Sequence, residues 1–97
     1  SFILSPAPPK RYYIYLLKSE KSEWLYIGYT SDLAKRLKEH NAGKNYSTKR
    51  YLPVRLICYE AYFSKSDAIE REKCLKYYGS GLRNLKDRLK KSLGGAG

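Results

Sequence analysis

No stretch of the 97-residue sequence approaches the roughly 18 consecutive apolar residues of a membrane-spanning helix. A helical membrane protein is excluded, and no membrane is expected as a partner. Residues 1–9 carry only three consecutive apolar residues before their prolines, too few for the apolar core of a secretory signal. There are two cysteines, Cys58 and Cys74, without CxxC spacing, and one histidine, His40. A disulfide scaffold is excluded, and spacing alone assembles no zinc site from these residues. The expectation is two reduced, partly buried thiols in a cytoplasmic protein. Seven glycines and four prolines without a repeat exclude a collagen-like chain. Lacking methionine at its start, the chain is expected to be processed or trimmed.

Acidic residues are also scarce. Nine Asp and Glu face 20 Lys and Arg, a formal charge of +11. Hydrophobic residues make up 42% of the chain, which separates it from disordered polyelectrolytes. A chain of this size buries about 60–65% of its unfolded surface, enough for one small core and one domain. Such a charge excess points first to a polyanion, above all nucleic acid. Basic residues can also serve only to solubilise a domain. Against that, the cations are spread along the chain and interleaved with 11 tyrosines, and aromatic faces beside cations suit base stacking and phosphate contact together. Tyrosine is equally a good strand residue.

Residues 1–11 are Pro-rich and predict an extended arm. Residues 12–17 (YYIYLL) and 24–29 (WLYIGY) are short apolar and aromatic runs joined by polar KSEKSE, which predicts an antiparallel hairpin. Thr30, Ser31 or Asp32 then caps a helix of about three turns, with Leu33 and Leu37 at helical spacing and a stop at residues 41–43. Residues 44–53 (KNYSTKRYLP) predict a basic, aromatic loop. Residues 54–63 form the third strand. Asp67 and Glu70 suit a capping box for a helix running through Tyr78 and ending at Gly79-Ser80-Gly81. A last helix carries Leu82, Leu85 and Leu89 on one face. The organisation is an arm at 1–11, a domain at 12–92 and a Gly-rich tail at 93–97, in the order β-β-α-β-α-α of an α+β domain.

Four positions need an explanation. Glu72 falls inside the apolar stripe of Ala68, Ile69 and Leu75, where a carboxylate needs a cationic partner or a metal. Its helical neighbour Lys76 supplies the structural alternative, while Glu70 points outward. Arg36 and His40 share one edge of the first helix. They are either an ordinary solvated edge, with a charged imidazole near the helix C-terminus, or a phosphate-binding fork beside a proton carrier. Tyr13 and Tyr15 alternate onto one face of their strand. Gly28, inside a strand pattern, predicts a bulge or a close approach by a ligand.

Tyr15, then Tyr26-Ile27-Gly28, then Arg36 and His40, then Glu72 within IEREKCLK together resemble the GIY-YIG nuclease superfamily, above all its small stand-alone bacterial members. The resemblance runs from about residue 12 to residue 76. Its first motif departs from the family pattern, with Tyr13 where the family has Gly. It implies a three-stranded antiparallel sheet, first strand central, flanked by helices.

The resemblance also implies a divalent-metal-dependent endonuclease hydrolysing phosphodiester bonds, with Mg²⁺ (or Mn²⁺) held by Glu72 and the scissile phosphate held by Arg36. Tyr15 and Tyr26 would orient the attacking water. Tyr15, Tyr26 and His40 stand as rival general bases, and Asn84 as a weak candidate for an amide near the site. Lys44, Lys49, Arg50, Tyr51, Arg83 and Lys86 would track the nucleic-acid backbone, giving affinity without sequence information. DNA is expected before RNA, with structure rather than sequence selectivity, in repair or recombination; a separate targeting protein is a further possible partner. The alternatives are a non-catalytic nucleic-acid-binding module on the same fold and a protein-interaction domain for acidic partners.

Overall fold

The computed structural model describes residues 10–77 and 79–94. Strands β1 (Tyr12–Ser19), β2 (Leu25–Thr30) and β3 (Val54–Tyr62) form one antiparallel sheet with β1 in the centre, order β2-β1-β3. Helices α1 (Leu33–Asn41) and α2 (Tyr46–Lys49) separate β2 from β3, and α3 (Lys65–Tyr77), α4 (Gly79–Arg88) and α5 (Lys90–Gly94) follow. Among the described residues no helix is long and apolar enough to cross a membrane. The α+β class, the three-stranded sheet and the central first strand match expectation.

Because β1 is central, both of its edges are paired; its side chains alternate between two clusters, one on each face, which splits the core in two. Ile14 and Leu16 pack with Ile27, Ala68, Leu75 and Leu85, beneath α3 and α4. Tyr15 and Leu17 turn the other way, onto Val54, Tyr26 and the Leu33/Leu37 stripe of α1. Ile14, Tyr15, Leu16 and Leu17 are all fully buried. Each such side chain contributes about 1.5–3 kcal/mol through the surface it removes from water. A register irregularity against β3 falls between Leu16 and Leu17.

Several boundaries differ from the sequence expectation. Residues 44–53 are not all loop: the Asn45 side chain accepts from the Ser47 N–H at 2.9 Å and caps the single turn of α2. The Asp67/Glu70 capping box is absent. α3 opens three residues earlier than an Asp67 cap would place it, the Ser64 hydroxyl accepts from the Asp67 N–H at 3.4 Å, and Glu70 is exposed. α3 ends at Tyr77, next to the expected stop, but Gly79-Ser80-Gly81 is itself helical and forms the first turn of α4. A Cβ on Gly81 would lie 2.9 Å from Cys74 Sγ and 3.1 Å from its carbonyl oxygen, so this glycine lets α4 close onto α3. The last helix divides at Leu89, and residues 93–94 belong to α5 rather than to a tail. Of the arm only Lys10 and Arg11 are described; residues 1–9, Tyr78 and residues 95–97 lie outside the described residues.

Gly28 has a cause other than a bulge or a ligand. It pairs with Tyr15, and a Cβ there would sit 2.3 Å from Tyr15 Cζ and 2.4 Å from its hydroxyl oxygen. The Tyr15 ring lies across the bare backbone of β2. Gly28→Ala therefore destabilises the domain by about 1–3 kcal/mol through overpacking, whereas Gly94→Ala, with nothing within 4 Å of its added methyl, leaves the melting temperature almost unchanged. Equal melting curves for the two variants would contradict this packing.

Candidate active site

The centre of the α1 face is a hydrogen-bonded chain of three side chains. Tyr15 on β1 lies 2.8 Å from His40 Nε2, and His40 Nδ1 lies 2.8 Å from Thr48 Oγ1. The Thr48 hydroxyl donates to the Asn45 carbonyl at 3.4 Å, so it accepts from the imidazole. That ordering assigns the neutral tautomer: Nδ1–H donates to Thr48, and Nε2 accepts from the Tyr15 O–H. Tyr15, His40 and Thr48 are fully buried. Among the described residues, no buried side-chain nitrogen or oxygen lacks a partner.

Burial sets the protonation states, because it penalises charge. Desolvation first, then the Tyr26 phenol, push the Tyr15 hydroxyl well above the ordinary phenol range, opposed by the Arg36 guanidinium beside it. The phenol stays protonated and serves as a donor. Desolvation first, and the Arg36 charge second, hold His40 below its ordinary value. The charged imidazole at a solvated helix edge is thus replaced by a neutral, buried one. Its helix ends too early to expose it: α1 stops at Asn41, and α2 folds back to place Thr48 against the ring.

The other site side chains gather around this chain. The Tyr26 ring stands 5.3 Å from the His40 ring and 6.3 Å from that of Tyr15. Trp24 extends the aromatic contact, lying 5.9 Å from Tyr26 on one side and stacked at 3.9 Å on Tyr51 on the other. Arg36 is half-buried, contacts Glu39 at 3.3 Å, and lines a cleft of about 230 Å³ with Glu39, Lys44 and Asn45. Glu72 is on the same helical side as buried Ala68 and Leu75, with a side chain 21% exposed and paired to Lys76 at 3.3 Å. Its carboxylate is close enough to Tyr15 to raise the phenol further. Lys76 in turn lies 5.9 Å from the centre of the Tyr26 ring. Tyr15, Tyr26, Arg36, His40 and Glu72 therefore share one neighbourhood, although α1 and α3 pack mainly against opposite faces of the sheet. The ion pair to Lys76 and the position beside Tyr15 are both realised.

The family model of the GIY-YIG catalytic domain matches residues 11–76. The chain belongs to this family. It is therefore a small nuclease-type domain whose substrate is nucleic acid. Among curated relatives, UPF0213 proteins of Streptococcus pyogenes serotypes M5 (strain Manfredo) and M2 (strain MGAS10270) are each 47% identical over 68 residues, 69% of this chain and 73% of theirs. A UPF0213 protein from Bacillus halodurans, solved by solution NMR, is 32% identical over 78% of this chain and 85% of its own, with a TM-score of 0.49.

The residues expected to track the GIY-YIG substrate's backbone divide. Lys44 shares the Arg36 cleft, and Lys49, the last residue of α2, and Arg50, its C-cap, are exposed. Tyr51 has one face committed to Trp24. Arg83 and Lys86 line a different cavity, of about 440 Å³, with Gly79, Leu82, Asp87 and Lys90. Asn84 is exposed on α4. Thr48 and Trp24 escaped the sequence reading. A hydroxyl eight residues after a histidine has no motif, and a lone Trp at a strand entrance reads as core.

His40 is the only histidine, so its titration is separable. With the folded value lowered, the unfolded chain binds the proton first, and the stability due to neutral His40 is present above about pH 6.5 and lost below it. The melting temperature falls between about pH 7 and pH 5, and His40→Gln, which offers an acceptor and a donor without titrating, flattens that portion of the profile. An identical slope in the parent and His40→Gln would overturn the assignment.

Proposed function

We propose that the domain is a divalent-metal-dependent endonuclease that hydrolyses phosphodiester bonds in DNA, selecting structure rather than sequence. The observation that carries this reading is the meeting of Arg36, Glu72 and Tyr26 around the buried Tyr15–His40 hydrogen bond. Glu72 would hold the metal. A single carboxylate suits a hard cation such as Mg²⁺ (or Mn²⁺), which keeps most of its water and takes the remaining oxygens from substrate phosphate. It does not meet the three or four ligands of a zinc centre, and the described residues contain no cluster of three His, Cys, Asp or Glu side chains. Held there, such an ion would supply charge neutralisation at the phosphate oxygens.

Arg36, at the mouth of the cleft it shares with Lys44, binds the scissile phosphate and offsets charge developing on it. Tyr26, half-buried against His40, orients the attacking water. Tyr15 is wholly covered at rest, with Arg36 beside its hydroxyl. Once the guanidinium turns to the phosphate, the Tyr15 oxygen can take a proton from the water while passing its own to His40 Nε2. The water oxygen bonds to phosphorus, the bond from phosphorus to the leaving sugar oxygen breaks, and that oxygen takes its proton from solvent. A base held neutral at physiological pH suits that role. DNA is the preferred substrate of this reading, with repair or recombination intermediates as its structures.

One observation favours a second reading, a binding module without turnover: Lys76 already neutralises Glu72 at 3.3 Å. Cleavage of labelled duplex, nicked, flapped and single-stranded DNA and RNA with Mg²⁺ or Mn²⁺ separates the two. The nuclease reading expects cutting of at least one DNA substrate. Arg36→Ala and Glu72→Gln each lower the rate about 10²–10³-fold, and Tyr15→Phe lowers it about 10²–10⁴-fold. Salt-sensitive binding without any cutting would establish the binding module instead, and full activity in Glu72→Gln would remove Glu72 from the metal-binding role.

A further inference from the structure

The sheet face that carries Tyr15 is covered by α1 at one end only. At the other end Tyr59, directly opposite Tyr15 in the β1–β3 register, is 53% exposed, and Phe63 just beyond β3 is 78% exposed. Tyr13, two residues before Tyr15 on the same face, packs edge-to-face on Tyr59 with ring centres 5.9 Å apart. The Arg11 guanidinium lies 5.4 Å from the centre of the Phe63 ring. The neighbouring acid, Glu60, points to the opposite face, where Arg71 holds it at 2.9 Å and the Tyr62 hydroxyl donates to it at 2.6 Å. The result is an aromatic patch with a cation over it, one strand spacing from the site, on a chain of net charge +11. Neither the fold nor the hydrogen-bonded centre explains why large aromatic rings stand half in solvent here.

From this juxtaposition we propose that the patch of Tyr13, Tyr59 and Phe63 stacks unpaired bases of a single-stranded segment adjoining the scissile phosphate, with Arg11 contacting that segment's backbone. Duplex bases are already stacked on one another, so rings that lie open on a sheet are useful to bases that have left the helix. The aromatic faces tolerate any base, and the cation takes the phosphates. Tyr13, standing where the first motif of the family carries Gly, becomes part of this surface. The inference rests on the proposed nuclease reading and narrows its substrate to nucleic acid with a flap, overhang or gap next to the cut.

The test reads binding alone, in chelator and with Glu72→Gln protein, so a failure to cut does not obscure it. The probes are a fluorescein-labelled oligothymidylate about ten nucleotides long, within the usual span of such surfaces, and a duplex of equal length. Tyr59→Ala weakens oligothymidylate binding on the order of tenfold and leaves duplex binding within about twofold, while Tyr59→Phe retains parent affinity for both. Tyr77→Ala, which removes a still more exposed ring from the end of α3, changes neither. In the unaltered full chain, photo-cross-linking of an iodouracil-substituted strand places adducts on Tyr13, Tyr59 or Phe63. Parent-level binding by Tyr59→Ala, an equal loss on duplex and single strand, or adducts confined to α2 and α4 would overturn the proposal. So would a dimer in sedimentation that Tyr59→Ala dissolves, since a second copy would then occupy the face.

Discussion

The hydrogen bond between the Tyr15 hydroxyl and His40 Nε2 is the constraint on which the rest of the arrangement depends. It joins the central strand to the end of α1 across the inner face of the sheet, and both partners are fully buried. In such surroundings an unpaired hydroxyl or imidazole is costly, so each group fixes the other. Thr48 closes the chain from α2, which explains why the segment between α1 and β3 folds back over the site instead of running free. Gly28 is the same constraint seen from β2, since the strand must lack a side chain for the phenol to reach across it.

The electrostatics follow from that geometry. A protonated phenol and a neutral imidazole leave the buried centre uncharged, and the charged groups, Arg36, Glu72 and Lys76, stand around its rim, where solvent shares their field. The division suits a catalytic domain acting on phosphodiesters. The rim can meet phosphate and cation, while the core supplies direction and a proton acceptor that is uncharged in the resting state. A second buried-face arrangement, Glu60 with Arg71 and Tyr62, lies on the opposite side of the sheet. There Tyr62 is pushed up to about 12 by its own desolvation first and by Glu60 second. It ties β3 to α3 and thereby sets the helix that carries Glu72.

Much of this was legible in the sequence, and the reason is local. The strands announced themselves through aromatic and β-branched runs, α1 through Asp32 and the Leu33/Leu37 spacing, and the site through the order of Tyr15, Tyr26, Arg36, His40 and Glu72. Glu72 was conspicuous because a carboxylate between Ala68 and Leu75 violates the apolar pattern. The errors occur where long-range packing overrides a local signal. Gly79 and Gly81 look like a break between helices, yet they open α4, with Gly81 a contact surface for Cys74. His40 reads locally as either a solvated helix end or a site residue, and only the fold of α2 over it shows that it is buried. Thr48 and the Trp24–Tyr51 stack depend on chain folding back upon itself, which no spacing rule records.

The assignment of the buried pair is most directly accessible through the imidazole nitrogens of His40, observed by nitrogen-15 NMR on protein labelled at histidine. The account predicts one neutral tautomer at neutral pH, with Nδ1 protonated, Nε2 acting as the acceptor, and a titration midpoint below the ordinary value of about 6.5. A proton on Nε2, or an imidazole that titrates at or above that value, would contradict it and remove the proton acceptor on which the proposed chemistry relies.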